Sequence, residues 1–521
     1  MNPVGMSVSD SVLQQETKRV LPSGAGRAVV IGSGFGGLAA AIRLQARGYQ
    51  TTLLETRDKP GGRAYVYEQD GFKFDAGPTI ITLPFLVDEL FALAGKKTSD
   101  YVRMVPCHPY YRILFHDGRS FDYTSDELHL IEEIKKFNPA DVEGYRRFLG
   151  KTKKLFDRGF TDLADQPFSS IWDMVKVSPD LIRLGAHESV FKLVARHIKD
   201  PYLRQVFSFN PLLIGGNPFQ SSSIFAMIHY LEREWGIHSV MGGTGALVNA
   251  LVRVFQDMGG TLHCGSRVDK IVVERGRVRG VRVKETYFPA DVVVSNADVA
   301  NTYLKLIEPK WRGKWTDRRI KKMRYSMSLF VVYFGTNRTY PNLAHHTILL
   351  GARYRELLDD IFRRKTLAKD FSLYLHAPTR TDRTLAPPGC ETFYVLSPVP
   401  NLQGDIDWSR EQERYADAIL ASLETHCPDL RKHIITRRIL TPENFLNDLD
   451  SYAGSAFSFE PVLTQSAWFR PHNVSEDVEG LYFAGAGTHP GAGVPGVLSS
   501  AKLLDRVIPA PFLRTHAHRS L

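Results

Sequence analysis

The order strand, glycine turn, helix, strand, acid near the N-terminus constrains this chain more than any other feature. Arg27 to Ile31 (RAVVI) is a short β-branched run of the kind that forms a buried parallel strand. It leads directly into Gly32-Ser33-Gly34-Phe35-Gly36-Gly37, a GxGxxG arrangement through Gly32, Gly34 and Gly37. LAAAIRLQARG follows, with helical propensity, small residues where a helix presses on a sheet, and a stop at Gly48. TTLLE reads as a second strand ending at Glu55, 23 residues after Gly32.

Each residue type has a physical task. Gly32 permits the tight turn, Gly34 lets backbone N–H groups approach a pyrophosphate, and Gly37 lets helix and strand pack closely. The phosphates then lie at the positive end of the helix. Glu55 stands where an acid accepts hydrogen bonds from an adenosine ribose. NAD and FAD share this fingerprint, but RDKPGGRAYVYEQDGFKFDAGPT follows Glu55. Its Gly61-Gly62-Arg63 turn can bring backbone and a guanidinium to the diphosphate or flavin part of a longer cofactor.

The glycine turn, Glu55 and GGRA resemble the start of the FAD-dependent amine-oxidase-like superfamily. DKPGGRAYVYEQDGFKFDAGPTIIT resembles more narrowly the bacterial and fungal carotenoid desaturases of the phytoene desaturase type. The similarity runs through GGNPF, GGTGALVNAL, VVSNADV, SLFVVYFGT, LTQSAWFRPHN and GAGTHPGAGVPGV, over about residues 27 to 505. It implies an α/β fold with a Rossmann-type FAD-binding domain. It also implies cofactor contacts at Gly62, Arg63, Gly77, Pro78, Gly485, Gly487, Val494 and Pro495. Val268 stands where the family meets adenine with the backbone of a strand residue; taken alone it reads as an ordinary strand valine. Many superfamily members carry an acid in the C-terminal glycine turn, where this chain has Ala486.

With 521 residues the chain exceeds one ordinary core. Its texture is α/β, then mostly amphipathic helix from Leu83 to about Trp235, then α/β, then mixed, then α/β again at GLYFAGAG. The FAD-binding domain is therefore expected to be discontinuous, from 27–82, 236–300 and 470–510. An inserted mixed α+β substrate and membrane-facing domain is expected from 83–235 and 301–469, with a disordered tail at 1–26 and a second tail at 511–521. The opening residues lack a signal-peptide core, and no stretch approaches 18 uninterrupted apolar residues.

The resemblance implies an enzyme acting on CH–CH groups: FAD takes hydride from an allylic carbon of phytoene while a proton leaves the neighbouring carbon, giving neurosporene or lycopene. Related readings are a ketolase, a diapophytoene desaturase, a retinoid saturase or isomerase, or a non-enzymatic prenyl-lipid carrier. A quinone or oxygen would reoxidise the flavin. A hydrocarbon of roughly forty carbons, at about 0.8 kcal/mol per buried CH₂, loses on the order of 30 kcal/mol on entering water, so it must come from a bilayer. SIFAMIHYL and SLFVVYFG read either as the walls of its tunnel or as ordinary core.

A formal charge of +10 suits nucleic acid or anionic lipid, and no nucleic-acid reading motif accompanies it. The densest run, Lys310 to Tyr325, holds eight Lys or Arg with Trp311 and Trp315 interleaved. It suits a peripheral contact with the cytoplasmic side of a membrane, or a solvated helix face. Asp141, Glu143 and Arg146 are the acid–base candidates, with the solvated face of an amphipathic helix as the alternative. Asp75 and Glu460 are further acids among apolar residues. Four scattered cysteines form no CxxC pair. His345 and His346, adjacent on a strand, would face opposite ways, so no metal is expected.

Overall fold

The computed structural model describes residues 26–511 except 163–165 and 168–170. The N-terminal tail at 1–26, apart from Gly26, and residues 512–521 lie outside the described residues. One sheet collects strands that are far apart in the chain. Its order is Leu481–Phe483, Val292–Ser295, Arg27–Ile31, Gln50–Leu54, Thr261–His263, and every pairing is parallel. Ala28 pairs with Val292 on one side and with Thr51 on the other. Parallel strands need crossovers and covered faces, which explains the apolar runs of the inner strands Arg27–Ile31 and Val292–Ser295, while the edge strand Thr261–His263 stays largely exposed. The helix Phe35–Ala46 covers one face. It packs against Thr244–Asp257 and Val494–Val507, and Ala39, Ala40 and Ala41 are fully buried because only a methyl fits between the layers.

A second sheet has seven strands in the order Ile434–Leu440, Ser328–Thr336, Glu391–Val399, Leu373–His376, His346–Leu350, Tyr111–Phe115, Ser120–Tyr123. All pairings are antiparallel except Thr347 with Arg112 and its neighbours. The strand SLFVVYFGT, second from one edge, is buried at every position. Alternate side chains leave a strand on opposite faces. Phe330, Val332 and Phe334 pack under the helix Trp408–Leu423. Leu329, Val331 and Tyr333 face the other way, into a core shared with the helices Asp141–Phe156, Val190–His197 and Pro201–Ser208.

The two sheets are joined by side chains as well as by chain crossings. The Tyr333 hydroxyl donates to the carbonyl of Ala76 at 2.9 Å, and Arg63 Nε donates to that of Ala456 at 2.7 Å. No helix among the described residues is long and apolar enough to cross a membrane.

The basic-aromatic run 310–325 differs from the sequence expectation. Trp315 is 1% exposed, stacks near Tyr303, and donates from its indole to Glu476 at 2.5 Å. Lys314 pairs with Glu476, and the Arg312 side chain, nearly fully buried, pairs with Asp317 at 2.5 Å. Backbone N–H groups of Lys314 and Trp315 donate to Asp477. The segment clasps the chain just before the strand Leu481–Phe483, and its central indole is unavailable to lipid.

Candidate functional site

A cavity of about 580 Å³ runs from the glycine turn at the top of the parallel sheet to the inner face of the seven-stranded sheet. At one end it is walled by Gly32, Ser33, Gly34, Phe35, Gly36, Glu55, Gly62, Arg63 and Val268. Gly77, Pro78, Gly485, Val494 and Pro495 complete that end. Segments about 450 residues apart in sequence therefore face one another. Gly37 and Gly487 do not line it. A Cβ on Gly37 would stand 1.9 Å from the Gly32 oxygen, and one on Gly487 would stand 2.7 Å from Val299, so both serve close packing behind the wall.

These residues fit a dinucleotide. A Cβ on Gly36 would lie 2.7 Å from the Asn296 amide nitrogen and 3.2 Å from the Gly485 Cα, so glycine there lets two turns meet across the cradle. Glu55 Oε2 accepts from the Ser33 N–H at 2.9 Å and from its hydroxyl at 2.5 Å, which fixes the carboxylate at the cavity edge. Two helix N-termini, at Phe35 and Val494, open on the same space, each free of a side-chain cap, leaving backbone donors for an anion.

The C-terminal glycine turn, with Ala486 in it, is braced from behind. Arg470, in LTQSAWFRPHN, donates to the Ala486 carbonyl at 2.6 Å; burial lowers its pKa to about 10. Asn473 donates to the His489 carbonyl at 2.9 Å, and Thr488 to that of Pro471 at 2.7 Å. The motif is the brace of the glycine loop. Arg63 points away from a simple phosphate role: it bonds Ala456 and Ser451, its pKa lowered by burial against the opposing pull of Asp298.

Beyond the cradle the walls become apolar. Ile224, Phe225, Met227, Ile228 and Leu231 contribute from one side, and Leu329, Val331, Ile348, Leu350 and Leu396 from the other. The period-2 choice of Leu329 and Val331, with Phe330 excluded, is the sheet alternation expressed as a wall. Polar groups here are sparse. Thr79 bonds the hydroxyls of Tyr394 at 2.6 Å and Tyr374 at 3.1 Å, and Tyr394 reaches the Gly77 carbonyl at 3.4 Å.

A carboxylate stands among these apolar walls. Glu232 is 1% exposed and accepts from Tyr111 at 2.7 Å and Asn210 at 3.0 Å. Desolvation raises its pKa to about 7, against the lowering effect of those hydrogen bonds. Sequence reading missed it because the apolar segment taken as a possible wall, SIFAMIHYL, stops at Leu231, and Glu232 opens the charged triplet Glu232-Arg233-Glu234. The signal was helical: Ile228, Leu231 and Glu232 share one face.

The expected acid–base residues are elsewhere. Asp141 is buried and accepts from the backbone N–H groups of Lys199 and Asp200, both at 2.8 Å, closing the turn before a helix. Glu143 and Arg146 form an exposed pair at 2.6 Å. None of the three lines the cavity. Asp75 accepts from Thr244 N–H at the start of a helix, with burial raising its pKa to about 6, and Glu460 pairs with Arg324 at 2.8 Å. The histidine expectation also fails: the strand begins at His346, His345 lies in the turn before it, and the two rings are 4.4 Å apart.

Comparison with known proteins agrees with this geometry. The family described as flavin containing amine oxidoreductase matches residues 35–503. A phytoene desaturase (lycopene-forming) from Pseudescherichia vulneris is 53% identical, covering 91% of this chain and 97% of its own. A phytoene desaturase (neurosporene-forming) from Rhodobacter capsulatus is 45% identical, covering 93% and 94%. Among solved structures, putrescine oxidase bound to putrescine has a TM-score of 0.61 at 15% identity, covering 92% of this chain and 98% of that one. That likeness shows the fold, which is the FAD-binding α/β architecture of those oxidases. The chain belongs to the flavin containing amine oxidoreductase family, among its phytoene desaturases, and FAD is its cofactor.

Proposed function

We propose that this chain desaturates phytoene and its partially desaturated products, carrying the series to lycopene. The observation that carries the reading is the continuity of the cavity: a dinucleotide cradle opens without a break into an apolar chamber suited to a hydrocarbon. Relatives that form lycopene share 49–53% identity with it, against 42–45% for two that form neurosporene.

Bound FAD supplies the acceptor for a hydride and its electron pair. The protein's own contribution is to hold a linear chain against the cradle, exclude water, and accept the proton. Glu232 is the proton acceptor in this reading: ionised, it takes a proton from the carbon next to the one losing hydride, and the C–H electron pair becomes the new C=C bond. Its burial keeps the carboxylate weakly solvated and therefore basic. Tyr111 and Asn210 fix its two oxygens. A quinone or oxygen would serve as the terminal electron acceptor.

Membrane contact is assigned to the cavity rim rather than to residues 310–325. The helix Ile171–Arg183 exposes Trp172, Val175 and Ile182, while its Met174 lines the cavity. It packs on the turn Ala467–Phe469, where Phe469 is exposed and Ala467 lines the cavity. Aromatic and aliphatic side chains around a mouth suit a peripheral enzyme that draws substrate from one leaflet, on the cytoplasmic side. The test is product analysis with phytoene-loaded liposomes and FAD: lycopene supports the reading, and accumulation of neurosporene alone rejects its final step.

A further inference from the structure

Behind the cavity wall lies a cluster of soft and borderline donors that the desaturation reading does not use. Cys107, His345 and His346 are buried, and one ligand atom from each lies within 4.8 Å of the other two. His376 stands beside them, its Nε2 in a 3.0 Å hydrogen bond with Nε2 of His345. They come from three places in the fold: the end of the short strand Met104–Pro106, the start of the strand His346–Leu350, and the end of its neighbour Leu373–His376.

The hydrogen bonds orient these rings inward. His345 uses Nδ1 to meet the Thr381 hydroxyl at 2.6 Å, and His346 uses Nδ1 to meet the Tyr374 hydroxyl at 2.7 Å. An imidazole whose outer nitrogen is held by an oxygen presents the other nitrogen as a lone pair, which is the arrangement around metal-ligating histidines. His346 Nε2 has no hydrogen-bond partner among the described residues, although the residue is fully buried. A buried polar atom left unsatisfied is costly, so this one points to a missing partner.

We propose that Cys107, His345 and His346 form a buried site for one borderline divalent ion of the zinc class, with His345 exchanging its bond to His376 for the ion. Tetrahedral zinc with nitrogen ligands at about 2.0–2.1 Å and sulfur at about 2.3 Å sets donors roughly 3.4–3.6 Å apart, so the three donors, within 4.8 Å of one another, close on an ion with shifts of about 1 Å. Three protein donors leave one coordination position, and the burial of all three residues keeps it away from bulk water. The ion clamps the wall that carries Tyr374, whose hydroxyl bridges His346 and Thr79 at the cavity surface. Burial favours the neutral thiol and neutral imidazoles in the absence of a cation. An ion reverses that preference for the thiol and uses the imidazoles as they are.

The test is elemental analysis of untagged, FAD-loaded protein dialysed against zinc and then freed of excess metal, alongside C107S and H346N. About one zinc per chain in the parent protein is expected, with both variants falling below about a tenth while keeping their FAD. Cells grown with cobalt provide a second readout: the parent protein should show a thiolate-to-cobalt charge-transfer band that C107S lacks. Parent protein without stoichiometric zinc, or variants that retain it, would overturn the assignment. Should C107S fold poorly, the cobalt band of the parent decides alone, its absence being contrary. FAD content, read separately, keeps this outcome distinct from failure of the desaturase reading.

Discussion

The side-chain amide of Asn296 donates to the carbonyl of Ala484 at 2.9 Å, and in doing so ties the end of one cradle strand to the start of the opposite wall. The same side chain is the nearest neighbour of any Cβ placed on Gly36 or Gly485. Three segments that are remote in sequence thus share one amide, and the shape of the cofactor cradle depends on it.

Replacing Gly36 by valine should therefore empty the cradle. Overpacking of this kind costs about 1–3 kcal/mol, and here the displaced groups are the wall itself. Purified G36V should carry little flavin by absorbance, while its far-ultraviolet circular dichroism stays close to that of the parent. Full flavin content in G36V would contradict the cradle assignment.

Glu232 should govern the pH dependence of turnover. Its pKa is raised by desolvation to about 7, so the ionised form that accepts a proton is depleted below that pH and turnover rises as pH increases through it. Replacement by glutamine should lower kcat by about 10²-fold or more, remove that inflection and leave flavin content unchanged. The linkage to stability has the opposite sign. A carboxyl held neutral in the fold contributes fully below its unfolded pKa and loses that contribution as pH rises through about 7. Thermal melts of E232Q and parent should converge in acid and separate above neutral pH, with the variant gaining relative to the parent.

Much of the site was legible because its chemistry is backbone chemistry. Glycine turns, a strand before them and an acid after them have local signatures, and Gly32, Gly34, Glu55, Gly62, Gly485 and Val494 all reach one cavity. What was not legible depends on which way a side chain points after distant elements pack. Glu232 sits beside Arg233 and Glu234, and only its helix face separates it from them. Trp315 reads as an interfacial anchor until Glu476 and Asp477 arrive from about 160 residues away. Asp141 is buried, as a functional acid would be, but what it meets is two backbone N–H groups. Adjacency of His345 and His346 implied opposite directions only if both lay on one strand, and the strand begins between them.

The two candidate membrane surfaces give opposite expectations. Trp172 and Phe469 are exposed at the rim, and each apolar side chain of this size is worth about 1.5–3 kcal/mol when buried in lipid. W172S combined with F469S should lower liposome binding in flotation assays by about tenfold or more, with flavin retained. W315A should instead cost about 3–5 kcal/mol of stability in denaturant melts, with the folded fraction binding liposomes as the parent does. Undiminished flotation of the rim variant would remove the rim from the account.

The chamber walls should set how far the reaction series runs. Val331 lines the cavity and Val332, next in sequence, packs on the opposite face of the sheet. V331F should therefore shift products towards less desaturated carotenoids in pigment analysis. V332I, a one-methylene overpacking under the outer helix, should leave the product ratio alone while lowering stability by about 1–3 kcal/mol.

The central claim is that the cradle and the apolar chamber act as one reaction site. It is tested most directly by mixing FAD-loaded protein with phytoene liposomes without an electron acceptor and following flavin absorbance and carotenoid products together. The account predicts that flavin absorbance bleaches in step with the appearance of a desaturated carotenoid, and that adding a quinone or oxygen restores the colour and continues the series to lycopene. Flavin that stays oxidised beside unchanged phytoene in liposomes to which the protein is bound would contradict it.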